Sequence, residues 1–426
     1  MTQPLLQAAD LRGAARLTTD AVAGLTSVVE AMHARIARLP WLPGGVQEPT
    51  AEAREERARG LTGVVYKTVR GVAQLVGSGA DVVLHRLAPM LPAAESGQAP
   101  HPEREALVAA LNGVLGDHLA ATDNPLAIAM AFRHAGQPLP LDRWSLRMRL
   151  PGATPKLLVL IHGLCMNDLQ WRRAGRKSEG SDEPGAEHDH GAALAQALGF
   201  TPIHLHYNSG LSISTNGRIL AALMERLYDA WPLPVERLAI VGHSMGGLVA
   251  RSAIHHGALL QRGTLRWPAR VNDLVCLGTP HQGAPLERAG HGVDRLLGAL
   301  PYAAPLARLG KVRSAGIHDL RLGNIVAGPV GASLDDSGTP LVAPVALPAA
   351  TRCFAVAASL GAKPGNLKAE LLGDGLVPVA SALGRHAEPE RHLAFAAEHQ
   401  AVVRDTGHLE LLSSGEVCGL LERWLG

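Results

Sequence analysis

The segment that most constrains this chain is Leu238-Ala239-Ile240-Val241-Gly242-His243-Ser244-Met245-Gly246-Gly247. Its apolar start predicts a buried strand, and the residues after Met245 predict a helix. The serine falls at the junction, in a Gly-x-Ser-x-Gly pattern. Such a turn is tight, and side chains at 242 or 246 would collide with the neighbouring strand and helix. It projects the serine hydroxyl from the top of the sheet, with the positive end of the helix beneath it. A glycine-rich turn with an incidental serine is the competing reading, and the strand-to-helix setting argues against it.

The surrounding pattern fits that turn. Short apolar runs predict strands over 145–150, 156–161, 201–207, 238–241, 271–277, 352–357 and 401–404. Helices are expected over 191–198, 218–230, 245–255 and 415–425. Near-continuous Val/Ile/Leu strands alternating with helices predict an α/β fold, a mostly parallel sheet covered on both faces. The domain expected to carry it spans 144–426, with an apolar cap insertion over about 284–350. Residues 1–125 read as a separate helical region, with stripes over 25–39, 61–76 and 107–119, and 126–143 as a linker.

Bulk properties exclude several classes. A formal net charge of +2 in 426 residues gives no electrostatic footprint for nucleic acid. Only 3% of residues are aromatic, so the core must be built mainly from Leu, Val and Ala. Cys165, Cys276, Cys353 and Cys418 are widely spaced and read as buried free thiols. No uncharged apolar run of about 18 residues predicts a membrane span. Asp10 and Arg12 precede any apolar run, unlike a secretory leader, so a cytoplasmic location is the default expectation. Peripheral lipid contact through residues 1–125 is the minority reading of the helical stripes.

A serine hydroxyl stays protonated at neutral pH and needs a histidine base held by an acid. In this fold the order is Ser, acid, His. His408, in Asp405-Thr406-Gly407-His408-Leu409, follows the last expected strand and is preferred to His386, His392 and His399. Asp374, in Gly373-Asp374-Gly375-Leu376-Val377-Pro378, is preferred to Asp335, Asp336 and Asp405. The oxyanion would be met by the amides of Met245 and of Leu164, in the loop after Leu158–Ile161.

The segments His162-Gly163-Leu164, Gly242–Gly247, Gly278-Thr279-Pro280-His281-Gln282-Gly283, Gly373–Pro378 and Gly407-His408-Leu409 resemble α/β-hydrolase lipases and esterases. Among these they resemble bacterial triacylglycerol lipases and GPI inositol-deacylase-like hydrolases. The resemblance covers about 144–426 and implies ester hydrolysis by Ser244, Asp374 and His408, without a cofactor. His162, His243, Tyr207 and His281 are expected to border the substrate, His162 in a supporting hydrogen-bond role. The chain departs from the bacterial lipases at Leu164-Cys165-Met166, where they usually carry a second glycine, and their calcium-site pattern is not recognisable, so no metal is carried over. Glu187-His188-Asp189-His190 resembles a metal-ligand cluster, but a solvated loop is the expectation for this charged insertion. A thioesterase or acyltransferase would use the same triad. A lipid- or granule-associated binding protein on a non-catalytic hydrolase fold is the rival from another class.

Overall fold

The computed structural model describes residues 12, 13, 16, 102–175, 187–259, 265–283, 314–327, 344–363 and 372–426. The expected helical stripes over 25–39 and 61–76, and most of the expected cap over 284–350, lie outside them. The chain divides into two compact units, Met1–Gln98 with Ala121–Leu126, and Ala99–Ala120 with Ala127–Gly426. In the first, Asn124 donates to the Gly13 carbonyl (3.1 Å) and Arg16 to the Asp123 carbonyl (3.1 Å).

The second unit carries the sheet. Its elements are α1 (Pro102–Ala121, whose last residue falls in the first unit), β1 (Ala131–His134), β2 (Gln137–Pro138), α2 (Arg143–Arg149) and β3 (Lys156–Ile161). Next come β4 (Arg173–Ala174), β5 (Glu187–His188), α3 (His190–Leu198), β6 (Thr201–His206), α4 (Ile213–Ala230), β7 (Arg237–His243) and α5 (Met245–Leu259). They are followed by β8 (Val271–Leu277), α6 (Ala315–Leu322), β9 (Arg352–Ser359), α7 (Val379–Ala382), β10 (Gln400–Arg404) and α8 (Gly415–Leu425).

Eight strands form one sheet in the order β10-β9-β8-β7-β3-β6-β1-β2, and β4 pairs with β5 apart from it. From β10 to β6 every pairing is parallel, while β1 is antiparallel to both β6 and β2. After β3 the chain adds β6 on one side, then returns to lay β7, β8, β9 and β10 on the other. A reversal of this kind marks the place, at the carboxyl ends of the central strands, where α/β sheets put their ligands. Leu157 to Ile161 of β3 and Leu238 to Val241 of β7 are buried throughout, as strands covered on both faces require.

Three expectations change. The 145–150 segment is not a strand but lies in α2, capped by Asp142, whose carboxylate accepts from Ser145 N (2.8 Å). Its apolar-polar alternation conceals a helical face: Leu146 and Leu150 are buried, while Trp144 and Met148 are 73% and 63% exposed. The expected linker 126–143 supplies β1 and β2 to the sheet edge. Helix α1 up to Ala120 belongs to the sheet-bearing unit, and its inward face is mainly Ala106, Ala109, Ala110, Gly113 and Gly116, with Val114 and Leu119. Leu107, counted in the apolar stripe, is 52% exposed. At Gly113 and Gly116 the helix approaches too closely for a side chain, since a Cβ there would meet Cys165 or Asn208.

Candidate active site

Ser244 sits between β7 and α5 with φ +54°, a conformation that a residue with a Cβ adopts only under strain. The turn is held by Ser244 N donating to the Leu277 carbonyl (2.7 Å) and Gly247 N to the Ser244 carbonyl (3.1 Å). The two glycines of the pattern are required by space. A Cβ at Gly242 would meet the backbone of Gly246 and Gly247, and one at Gly246 would meet the carbonyl oxygens of Ile161 and His162. Only with hydrogen at 246 can α5 start against the end of β3. The amide of Met245, first residue of that helix, has no carbonyl available within the helix.

His408 and Asp374 come together from two loops. Asp374 lies in the turn between β9 and α7, and His408 in the turn between β10 and α8. The imidazole Nδ1 is 2.6 Å from Asp374 Oδ2, and His408 N donates to the Asp374 carbonyl (3.2 Å). The other carboxylate oxygen, Oδ1, accepts from Leu376 N (3.0 Å) and Val377 N (2.8 Å), which fixes its plane. Gly278, the residue after Leu277, borders the imidazole: a Cβ there would lie 3.2 Å from His408 Cε1. Ser244, Asp374 and His408 are 4%, 4% and 5% exposed.

The loop after β3 lies beside the serine, since a Cβ on Gly163 would come 3.0 Å from Ser244 Cβ. Two residues on, Cys165 has φ +58° and donates its amide to Ser209 Oγ (3.0 Å). Its thiol, 3.7 Å from the Ala110 carbonyl of α1, is pushed up to about 12 by burial. Ser209 and the α1 contact are the participants that sequence reasoning missed. Nothing in the sequence links Ala110 to Cys165.

The histidines flanking these loops are buried supports. His162 stacks on Tyr207 (4.4 Å between ring centres), and Tyr207 Oη donates to the His162 carbonyl (2.9 Å). Both side chains are fully buried, so they shape the loop from behind and present no surface to a substrate. Burial lowers His162 to about 3, leaving it neutral. His243, also fully buried, has Nε2 3.0 Å from the His408 carbonyl and its ring 4.7 Å from that of His408. Burial above all, with His408 adding to it, holds His243 well below its ordinary value. Its Nε2–H therefore donates to that carbonyl and braces the turn. His281 packs on Phe395 (5.3 Å), with Nδ1 3.2 Å from Arg251, and borders a cavity of about 50 Å³ with Gln282, Asn324 and Val345. The four cysteines are buried and free, as expected. Of the alternatives weighed for the acid and base, Asp335 and Asp336 lie outside the described residues.

Residues 154–300 match the model of the PGAP1-like alpha/beta domain. The chain has the α/β-hydrolase fold. The match includes β3, Ser244 and β8 but ends before Asp374 and His408. Among solved structures, the domain is similar to the mature form of the Bacillus licheniformis lipase BlEst2, at 19% identity, covering 63% of this chain and 91% of that one, with a TM-score of 0.37. It is similar also to the Pyrococcus furiosus esterase Pf2001 (15% identity, 65% and 84% covered, TM-score 0.32). A lipase-esterase related protein from Clostridium acetobutylicum is a third (14% identity, 64% and 95% covered, TM-score 0.31). No curated protein matches the chain in sequence.

Proposed function

We propose that this α/β-hydrolase cleaves carboxylic esters through an acyl-enzyme on Ser244. The observation that carries the reading is the 2.6 Å contact of His408 with Asp374 at the sheet end where the strained Ser244 turn emerges. With Nδ1–H donated to Asp374, His408 keeps Nε2 free as a base. Ser244 Oγ bonds to the ester carbon as its proton passes to Nε2, and the carbonyl oxygen takes the negative charge. The amides of Met245 and Leu164 stabilise that oxyanion, aided by the N-terminus of α5. The carbon–alkoxide bond then breaks, and the alcohol leaves with the proton from Nε2. Water attacks the acyl-enzyme, gives its proton to the same nitrogen, and the acid departs as Oγ is reprotonated.

Treating the full chain with a fluorophosphonate probe, beside Ser244→Ala, tests this reading. Labelling of Ser244 found by mass spectrometry, together with p-nitrophenyl ester hydrolysis lost in the variant, is the expected result. Undiminished hydrolysis by a folded Ser244→Ala protein would refute the assignment. Acyl transfer to an added alcohol that exceeds hydrolysis, or a preference for acyl thioesters, would move the activity to the acyltransferase or thioesterase alternative.

A further inference from the structure

The His188–Asp189–His190 segment, expected to lie in a solvated loop, is folded inward. His190 is fully buried at the first turn of α3, and His188 is half-buried at the end of β5. His188 Nε2 lies 2.8 Å from His190 Nδ1, and Cys418 of α8 brings its Sγ close to both while donating to Glu422 Oε1 (3.6 Å). The three ligand atoms lie within 4.8 Å of one another. We propose that His188, His190 and Cys418 form a Zn²⁺ site that ties the β4–β5 pair and the start of α3 to the last helix.

The flanking acids are already committed elsewhere. Asp189 caps α3 by accepting from Ala192 N (3.1 Å), and Glu187 pairs with Arg172. What remains facing inward is two imidazoles and a thiol, the nitrogen and sulfur donors that zinc selects over calcium or magnesium. Bonds of about 2.0–2.1 Å to nitrogen and about 2.3 Å to sulfur set tetrahedral ligand separations of about 3.3–3.7 Å. The 2.8 Å nitrogen pair has to open by about half an ångström, and the thiol to swing in by up to about 1.3 Å. Side-chain rotation supplies both.

The outer shell is already in place. His190 Nε2 is 2.9 Å from the Leu411 carbonyl, so it carries the proton and donates it there. Nδ1 is left as a lone pair aimed at the site, the arrangement by which a carbonyl orients a metal-bound imidazole. Glu422, one turn beyond Cys418 with a carboxylate oxygen 3.6 Å from Sγ, or a water molecule, completes the four ligands. Leu411 lies three residues after His408, so the site also steadies the turn that holds the candidate base.

Spectroscopy on the full chain decides the matter. After dialysis against a chelator, the protein is titrated with Co²⁺, which reports thiolate ligation through a charge-transfer band, and with Zn²⁺ by calorimetry. One Zn²⁺ per chain is expected, with a thiolate–cobalt band that Cys418→Ser abolishes. His188→Gln and Cys418→Ser should each weaken Zn²⁺ binding by at least about tenfold. Both replacements are close in size to the original side chain, and unchanged circular dichroism of the metal-free variants separates ligand loss from unfolding. Absence of the band in the wild-type protein, or unchanged Zn²⁺ affinity in both folded variants, would overturn the site.

Discussion

Asp374 holds His408 through two contacts at once: its Oδ2 is 2.6 Å from the imidazole Nδ1, and its carbonyl accepts the His408 amide at 3.2 Å. The side-chain contact sets the tautomer and the backbone contact sets the loop, so the two can be separated by mutation. Asp374→Asn keeps the size and the backbone bond but places an amide opposite Nδ1. The expected result is a fall in kcat of about ten-thousand-fold with native circular dichroism. A decrease under tenfold, measured on a short-chain p-nitrophenyl ester, would remove Asp374 from the triad.

Ser209 acts on the proposed oxyanion loop through Cys165, which it holds at positive φ by accepting its amide. Removing the hydroxyl in Ser209→Ala frees the loop beside Leu164. A misplacement of about 1 Å in a catalytic donor costs up to about a hundredfold. We expect kcat to drop by about ten- to a hundredfold with KM little changed, since the role proposed for the Leu164 amide is to act on the charge of the transition state. A change confined to KM would instead assign Ser209 to substrate binding.

Gly246 is set by contact with backbone rather than with movable side chains. A Cβ there meets the carbonyl oxygens of Ile161 and His162, which are fixed in and after β3. Gly246→Ala should lose about 3 kcal/mol or more in urea unfolding, at the upper end of overpacking costs. Gly415→Ala, at the open start of α8 where a Cβ meets nothing within 4 Å, should be neutral or slightly stabilising. Equal stability of the two variants would contradict the packing described.

Two neutral buried histidines make the fold sensitive to acid. Burial, the main cause in each, lowers His162 to about 3 and His243 well below its ordinary value. Between those values and the unfolded pKa of about 6.5, the unfolded chain binds more protons than the native one. Their stabilising effect is complete above about pH 6.5 and is lost progressively on acidification, with a slope of about 1.4 kcal/mol per pH unit for each proton. Urea midpoints should therefore be flat above about pH 7 and fall below about 6.5. The fall should be shallower in His162→Gln. A midpoint constant down to about pH 5 would be inconsistent with neutral burial.

By itself the sequence determined the parts of this protein whose physics is local. A buried strand ending in Gly242-His243-Ser244-Met245-Gly246 can only turn sharply, because two glycines leave room and the apolar runs on either side must be covered. The ends of β8 and α8 were legible for the same reason, since periodicity and Gly or Ser punctuation act over a few residues. Order along the chain singled out Asp374 and His408 as the candidate acid and base, but carried nothing of the 2.6 Å between them. Tertiary structure decided which alternating pattern was helical at 143–149, where capping by Asp142 and burial of Leu146 outweighed apparent strand periodicity. It also decided which face of α1 turned inward, because close approach to Cys165 favours Ala110 and Gly113 over Leu107. His190 was buried against Leu411 and brought to Cys418 by the docking of α8 over α3, more than two hundred residues apart in sequence. Contacts over such separations depend on which surfaces the whole sheet brings together, and no local pattern in the chain encodes them.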